Sequence, residues 1–141
     1  MSIPDINDYT SIGIPKSGIS QTDELFVLSA EELEIISKLE PNTALLIEHK
    51  DEHINARYLL NTNITLIGRN ESADILLDDN TISRKHAEII RLSDGWEIKD
   101  LASLNGTYLN GERIENIVRI NSGDKIMIGK FHLIFFTDKH K

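Results

Sequence analysis

The distribution of apolar and polar positions changes character at Ala44. From there on, apolar residues come in short β-rich runs: Ala44–Glu48, Arg57–Leu60, Thr65–Ile67, Ile75–Leu77, Ala87–Arg91, Trp96–Asp100, Thr107–Leu109, Lys125–Ile128 and His132–Phe136. Turn-forming clusters separate them: Asn61-Thr62-Asn63, Asp78-Asp79-Asn80, Ser93-Asp94-Gly95, Asn110-Gly111 and Asn121-Ser122-Gly123-Asp124. Many short strands with close turns, and no long helical pattern, predict an all-β sandwich. Asn110-Gly111 between two such runs predicts a tight hairpin, because both residues tolerate positive φ. Trp96, Phe131, Phe135 and Phe136 are most simply core residues on these strands.

The preceding residues read differently. Residues 1–28 carry Gly13, Pro15, Gly18 and several hydroxyl residues, with no apolar period, and are expected to be mostly disordered. Ser29-Ala30-Glu31-Glu32 is a capping box, with Leu28 and Leu33 at the positions of a hydrophobic staple. It predicts a short helix over about Ala30–Leu39, ended by Pro41. Such a helix is marginal alone, since isolated helices below ~12–15 residues rarely persist. The domain division that follows is a flexible acidic tail over 1–43 and a folded domain over 44–137.

Composition narrows the function. The chain has 141 residues, 40% of them hydrophobic, enough for one core. No run approaches the ~20 apolar residues of a membrane span, and the N-terminus lacks the pattern of a signal peptide. With no Cys, thiolate metal sites and cysteine nucleophiles are excluded. These features predict a cytoplasmic protein without a membrane partner. Net charge is −8, and residues 1–43 hold eight acidic and two basic side chains, a balance of −6. Residues 44–141 hold fifteen acidic and thirteen basic ones, a balance of −2. That distribution argues against nucleic acid as a partner, which would call for a basic face.

The candidate chemistry lies between Gly68 and Gly111. Arg69, Ser83, Arg84 and Asn105 sit beyond the ends of predicted strands, where loops on a rigid sheet carry function. An Arg fork meets phosphate oxygens in a bidentate way, a hydroxyl adds a neutral donor, and an amide side chain can both donate to and accept from an extended peptide backbone. Ser83, Arg84 and Asn105 lie 14, 15 and 36 positions beyond Arg69, so the sequence permits their convergence without demonstrating it. No nucleophile–base pair or metal cluster appears, so neither an enzyme nor a cofactor is expected. Gly123–Lys130 imitates a nucleotide-binding loop, but its glycines are one residue too far apart and its centre reads as a strand. His49 and His53 flank a predicted hairpin turn with no third ligand and read as surface histidines.

The ordered set Gly68-Arg69, Ser83-Arg84-x-His86 and Asn105-Gly106, with Asn110-Gly111 soon after, resembles the forkhead-associated (FHA) domain over about Ala44–Thr137. The resemblance implies a β-sandwich of two twisted, mainly antiparallel sheets that binds phosphothreonine peptides. It implies that Arg69 and Ser83 bind the phosphate and Arg84 supports them. Asn105 would hold the peptide backbone, Gly68 would permit a tight turn, His86 would be a structural loop anchor, and Gly106 would belong to the same structural motif. One position departs: many members carry Thr before the first Asn-Gly, and here it is Leu104.

Ser72–Ile75, Leu77-Asp78-Asp79, Ser83–Glu88, Ser103–Tyr108 and Gly129-Lys130-Phe131 further resemble the actinobacterial GarA/OdhI family of small regulators. That likeness implies a monomer whose tail threonine is phosphorylated by a Ser/Thr protein kinase and then occupies its own pocket. The unphosphorylated form would inhibit 2-oxoglutarate dehydrogenase and regulate glutamate-metabolising enzymes. The alternative is an adaptor that recruits phosphorylated partners in trans. Two tail threonines compete for the switch. Thr10, in Asp8-Tyr9-Thr10-Ser11-Ile12, is favoured by its local pattern over Thr22, in Gln21-Thr22-Asp23-Glu24-Leu25. A flexible chain from Thr10 to Ala44 has an r.m.s. span of ~30 Å, enough to fold back.

Overall fold

A computed structural model of the chain describes residues 28–138. The described residues form one helix followed by eleven strands. These are α1 (Ala30–Ser37), β1 (Ala44–Lys50), β2 (His53–Leu60), β3 (Ile64–Gly68), β4 (Ile75–Leu76), β5 (Ala87–Leu92), β6 (Gly95–Asp100), β7 (Thr107–Leu109), β8 (Glu112–Arg113), β9 (Ile117–Ile120), β10 (Lys125–Ile128) and β11 (Phe131–Thr137). They build a five-stranded sheet in the order β9-β6-β5-β3-β4 and a six-stranded sheet in the order β2-β1-β11-β10-β7-β8. Every pairing is antiparallel except β3 with β4. The expected all-β sandwich of mainly antiparallel sheets is therefore the fold observed.

The facing sides of the two sheets bury one core, which includes Leu46, Ile67, Ile89, Ile98, Ile128 and Phe135, with Trp96 edge-on to Phe135. Asn110 and Gly111 take φ of 50° and 90° and close the β7–β8 hairpin, as their sequence predicts. Two strands, β8 and β9, were not expected from the runs. Their residues are largely exposed, and β9 packs only one side of an edge strand against the core.

β1 is buried along both faces because a second, smaller cluster covers its other side. Leu45, Ile47, Ile134 and Phe136 point away from the main core and meet Ile36 of α1, with Leu28, Ile35 and Leu39 around them. Phe136 thus belongs to the helix-covered side and not to the inter-sheet core. The helix expected within an otherwise flexible tail is part of this folded body, and it ends at Ser37 instead of Leu39. Ser29 caps it as expected, accepting from the Glu32 N–H. Glu32 is only 2% exposed, and its carboxylate accepts from Arg57 Nε at 3.1 Å and Nη2 at 2.6 Å while also bonding the Ser29 hydroxyl. An eight-residue helix that would be marginal alone is held by burial and by Arg57, which pairs with Glu32 and, at 3.3 Å, with Glu31.

Candidate functional site

Four connections meet at one end of the sandwich: β3–β4, β4–β5, β6–β7 and β10–β11. The sequence places Arg69 just past β3, Ser83 just before β5 and Asn105 just before β7. The Arg69 and Asn105 side chains converge on the backbone just before Ser83, and the Ser83 side chain bonds the loop that carries Asn105. Arg69 Nε donates to the Ile82 carbonyl at 2.9 Å, Asn105 Nδ2 donates to the Thr81 carbonyl at 3.1 Å, and the Ser83 hydroxyl accepts from the Leu104 N–H at 3.0 Å.

Each bond leaves a defined group for a ligand. With Nε committed, Arg69 is exposed and its two Nη groups make no hydrogen bond among the described residues. Ser83 Oγ accepts from Leu104, and its own proton donates to no group among the described residues. Asn105 donates inward through Nδ2 and keeps its carbonyl oxygen as an acceptor. Arg84 and Lys85 are exposed nearby and form no ion pair among the described residues. A guanidinium fork, a hydroxyl donor and an amide on a rigid frame suit a phosphorylated peptide.

Main-chain and buried groups set this geometry. Arg69 N–H donates to the carbonyls of Ser83 and Arg84, at 3.0 Å and 3.1 Å, and Asn70 N–H donates to Arg84 at 3.2 Å. Arg84 supports the site through that carbonyl, and its guanidinium makes no hydrogen bond to Arg69 or Ser83. Gly68 is required by the same approach: a Cβ there would lie 2.0 Å from the Arg84 carbonyl oxygen. Its φ is not positive, so close backbone contact, and not the tight turn expected from the resemblance, is its reason for being glycine. Gly106 differs, with φ of 89°, where a side chain would be strained.

His86 is fully buried between two loops. Ser83 N–H donates to its Nδ1 at 3.0 Å, so Nδ1 carries no proton. The proton is on Nε2, which donates to the Gly106 carbonyl at 2.9 Å. The ring is neutral and ties Ser83 to the loop that carries Asn105.

Six further residues support the site, none of which was assigned a role in it from the sequence. Asp100 accepts from Ser103 Oγ at 2.6 Å, Thr107 Oγ1 at 2.7 Å and Ser103 N–H at 3.1 Å, and Ser103 Oγ in turn accepts from Gly106 N–H at 2.9 Å. Burial alone would raise the Asp100 carboxyl's pKa, but the bonds from Ser103 and Thr107 outweigh it and hold it below its ordinary value. Asp79 binds the Thr81 hydroxyl and N–H and pairs with Lys130 Nζ at 3.0 Å. Hydrogen bonds from Thr81, helped by Lys130, bring its pKa down to about 2. The only sequence signal for these residues is short polar side chains spaced for local turns, Asp100-x-x-Ser103 and Asp79-x-Thr81.

Thr10 and Thr22 lie outside the described residues. Among the described residues, no cluster of three or more His, Asp or Glu side chains could hold a metal, and no helix is long and apolar enough to cross a membrane.

Comparison with known proteins places this arrangement. The model of the FHA domain family matches residues 65–129. An oxoglutarate dehydrogenase inhibitor of Corynebacterium jeikeium is 37% identical over 135 residues, covering 89% of this chain and 93% of the relative. The glycogen accumulation regulator GarA of Mycobacterium tuberculosis is 42% identical over 102 residues, covering 72% of this chain. The chain spans 62% of the length of that relative. Among solved structures, Mycobacterium tuberculosis EmbR in complex with a low-affinity phosphopeptide superposes with a TM-score of 0.64 at 29% identity. The match covers 78% of this chain and 30% of EmbR.

Proposed function

The chain belongs to the FHA domain family, and on that premise we propose that it is a non-enzymatic regulator that binds phosphothreonine through Arg69, Ser83 and Asn105. One observation carries the reading: the Ser83 hydroxyl oxygen accepts from the Leu104 N–H and keeps its own proton to donate, beside an arginine whose Nε is pinned and whose Nη pair makes no hydrogen bond among the described residues. Such a pair of donors meets a phosphate dianion without acting on it chemically. The likeness to EmbR, seen with a phosphopeptide, supports the same ligand class.

Likeness to an oxoglutarate dehydrogenase inhibitor over most of both chains supports a regulatory target. In this reading the unphosphorylated protein binds and inhibits 2-oxoglutarate dehydrogenase and regulates glutamate-metabolising enzymes in the cytoplasm. A Ser/Thr protein kinase then modifies Thr10, or alternatively Thr22, and the phosphothreonine occupies the protein's own pocket as a monomer. The effective concentration of a tethered ligand is on the order of mM, so even a micromolar intrinsic site would be largely self-occupied. Capture of phosphorylated partners in trans is the second reading, supported by the peptide bound to EmbR.

The test is to titrate a phosphothreonine peptide into wild-type protein and Arg69→Ala, then repeat with the kinase-treated protein. Arg69→Ala should weaken binding at least about 100-fold, the loss of charge-assisted hydrogen bonds, with an unchanged melting temperature. Kinase-treated protein should no longer bind the free peptide or 2-oxoglutarate dehydrogenase. Retained peptide affinity in Arg69→Ala refutes the site. Retained peptide binding after stoichiometric tail phosphorylation refutes self-capture and leaves the trans reading.

A further inference from the structure

Leu104 is 82% exposed, more than Leu59, Ile64, Leu76 or Ile117, the other large apolar residues left open on the surface among the described residues. It occupies the position at which the sequence departs from the common FHA pattern. Its backbone is firmly held. Leu104 N–H is bonded to Ser83 Oγ, Ser103 to Asp100, Asn105 to Thr81 and the Gly106 carbonyl to His86. The loop therefore fixes the Leu104 main chain against the phosphate-binding hydroxyl while its side chain makes little contact with the protein. That main-chain role needs only an N–H and is indifferent to the side chain, so it gives no reason for leucine.

We infer that Leu104 is a specificity-determining residue that contacts an apolar side chain directly flanking the phosphothreonine of the bound peptide. The inference rests on the phosphothreonine reading of the site. A phosphate held by Ser83 sits at the tip of the threonine side chain, and the neighbouring peptide Cα atoms are only about 3.8 Å from that of the threonine. A leucine beside the hydroxyl meets those neighbours before any more distant residue. Covering it removes exposed apolar surface that the free protein leaves in water, an energy gained only with an apolar partner. The backbone is already ordered, so little loop entropy opposes the contact.

The experiment uses full-length protein and phosphothreonine peptides that differ only in the two flanking residues, valine or aspartate, with a phosphoserine version of the valine peptide. Leu104→Ala should weaken the valine-flanked phosphothreonine peptide about fivefold and leave the aspartate-flanked one within roughly twofold. The phosphoserine version should lose affinity by the same factor. A uniform loss across all peptides, no loss, or a loss that disappears with phosphoserine overturns the inference; the last would assign the contact to the threonine methyl. Leu104→Thr, a polar exchange at an exposed site, should reproduce the pattern of Leu104→Ala. Wild-type protein that binds none of the peptides would overturn the phosphothreonine reading itself.

Discussion

The two sides of the six-stranded sheet's surroundings are built on opposite principles. Its helix-covered face is apolar, with Leu45, Ile47, Ile134 and Phe136 under Ile36, and it holds one forked ion pair between Glu32 and Arg57. The loop end is nearly the reverse. There Arg69, Ser83 and Asn105 are tied by hydrogen bonds to backbone while the groups suited to a ligand remain open. Burial stabilises the first region in proportion to area, and hydrogen bonding defines the shape of the second with a small net stability. Stability and binding should therefore be separable by mutation.

The largest expected effect is on the helix side. Phe136→Ala removes a buried aromatic from beneath α1, 4% exposed, and should destabilise the fold by about 3–5 kcal/mol. The protein that remains folded should bind phosphopeptide with wild-type affinity, because Arg69, Ser83 and Asn105 are not members of that cluster. Urea unfolding and a titration well below the unfolding midpoint measure the two quantities independently. An affinity loss well beyond the folded fraction would break the proposed separation.

A smaller effect concerns acid. Glu32 is desolvated, which alone would raise its pKa, yet the bonds from Ser29 and Arg57 prevail and its carboxyl sits below its ordinary value of 4.5. A depressed carboxylate stabilises the fold above its unfolded pKa, and this contribution is lost as pH falls through the folded value. Glu32→Gln should therefore destabilise at pH 7 by about 1–2 kcal/mol, a value moderated by the half-exposed Arg57, and the deficit should shrink below about pH 4.5. Melting curves for both proteins between pH 7 and 3 test this, and a deficit independent of pH would mean that packing of the glutamate, not its charge, holds α1.

How legible each region was in the sequence follows the same division. Strands such as β10 were readable because one face meets the core, with Ile126 and Ile128 buried and Lys125 and Met127 only half-buried on the other side. β9 was not: Ile117 and Val118 are adjacent apolar residues of which one points outward, so the alternation is obscured. The capping box at Ser29 located α1, but no periodic signal told that its thin stripe meets Phe136, a contact distant along the chain. Arg69, Ser83 and Asn105 were nameable from residue type and loop position. Their convergence was not, because it depends on three bonds to the Thr81–Ser83 segment. Gly68 was identified for the wrong physical reason, since a clash with the Arg84 carbonyl exists only in three dimensions. Asp100 carried no signal beyond its place at the end of a predicted strand, because its donors, on Ser103 and Thr107, lie in the following loop and at the start of β7.

The smallest effect tests how the loop end stores its geometry. Ala102 has φ of 56°, the left-handed region, two residues before Leu104. That conformation costs an alanine about 1–2 kcal/mol, whereas glycine adopts it freely but loses more entropy on folding. The terms oppose each other, so Ala102→Gly should stabilise the protein by only about 0.5 kcal/mol, a rise of roughly 2–4 °C in melting temperature. Ser103, Leu104, Asn105 and Gly106 each keep a hydrogen bond that does not involve Ala102, so phosphopeptide affinity should stay within about twofold. A large affinity loss together with the higher melting temperature would mean that the strained alanine presets the loop for its ligand. The site would then owe part of its shape to backbone strain in addition to the hydrogen-bond lattice.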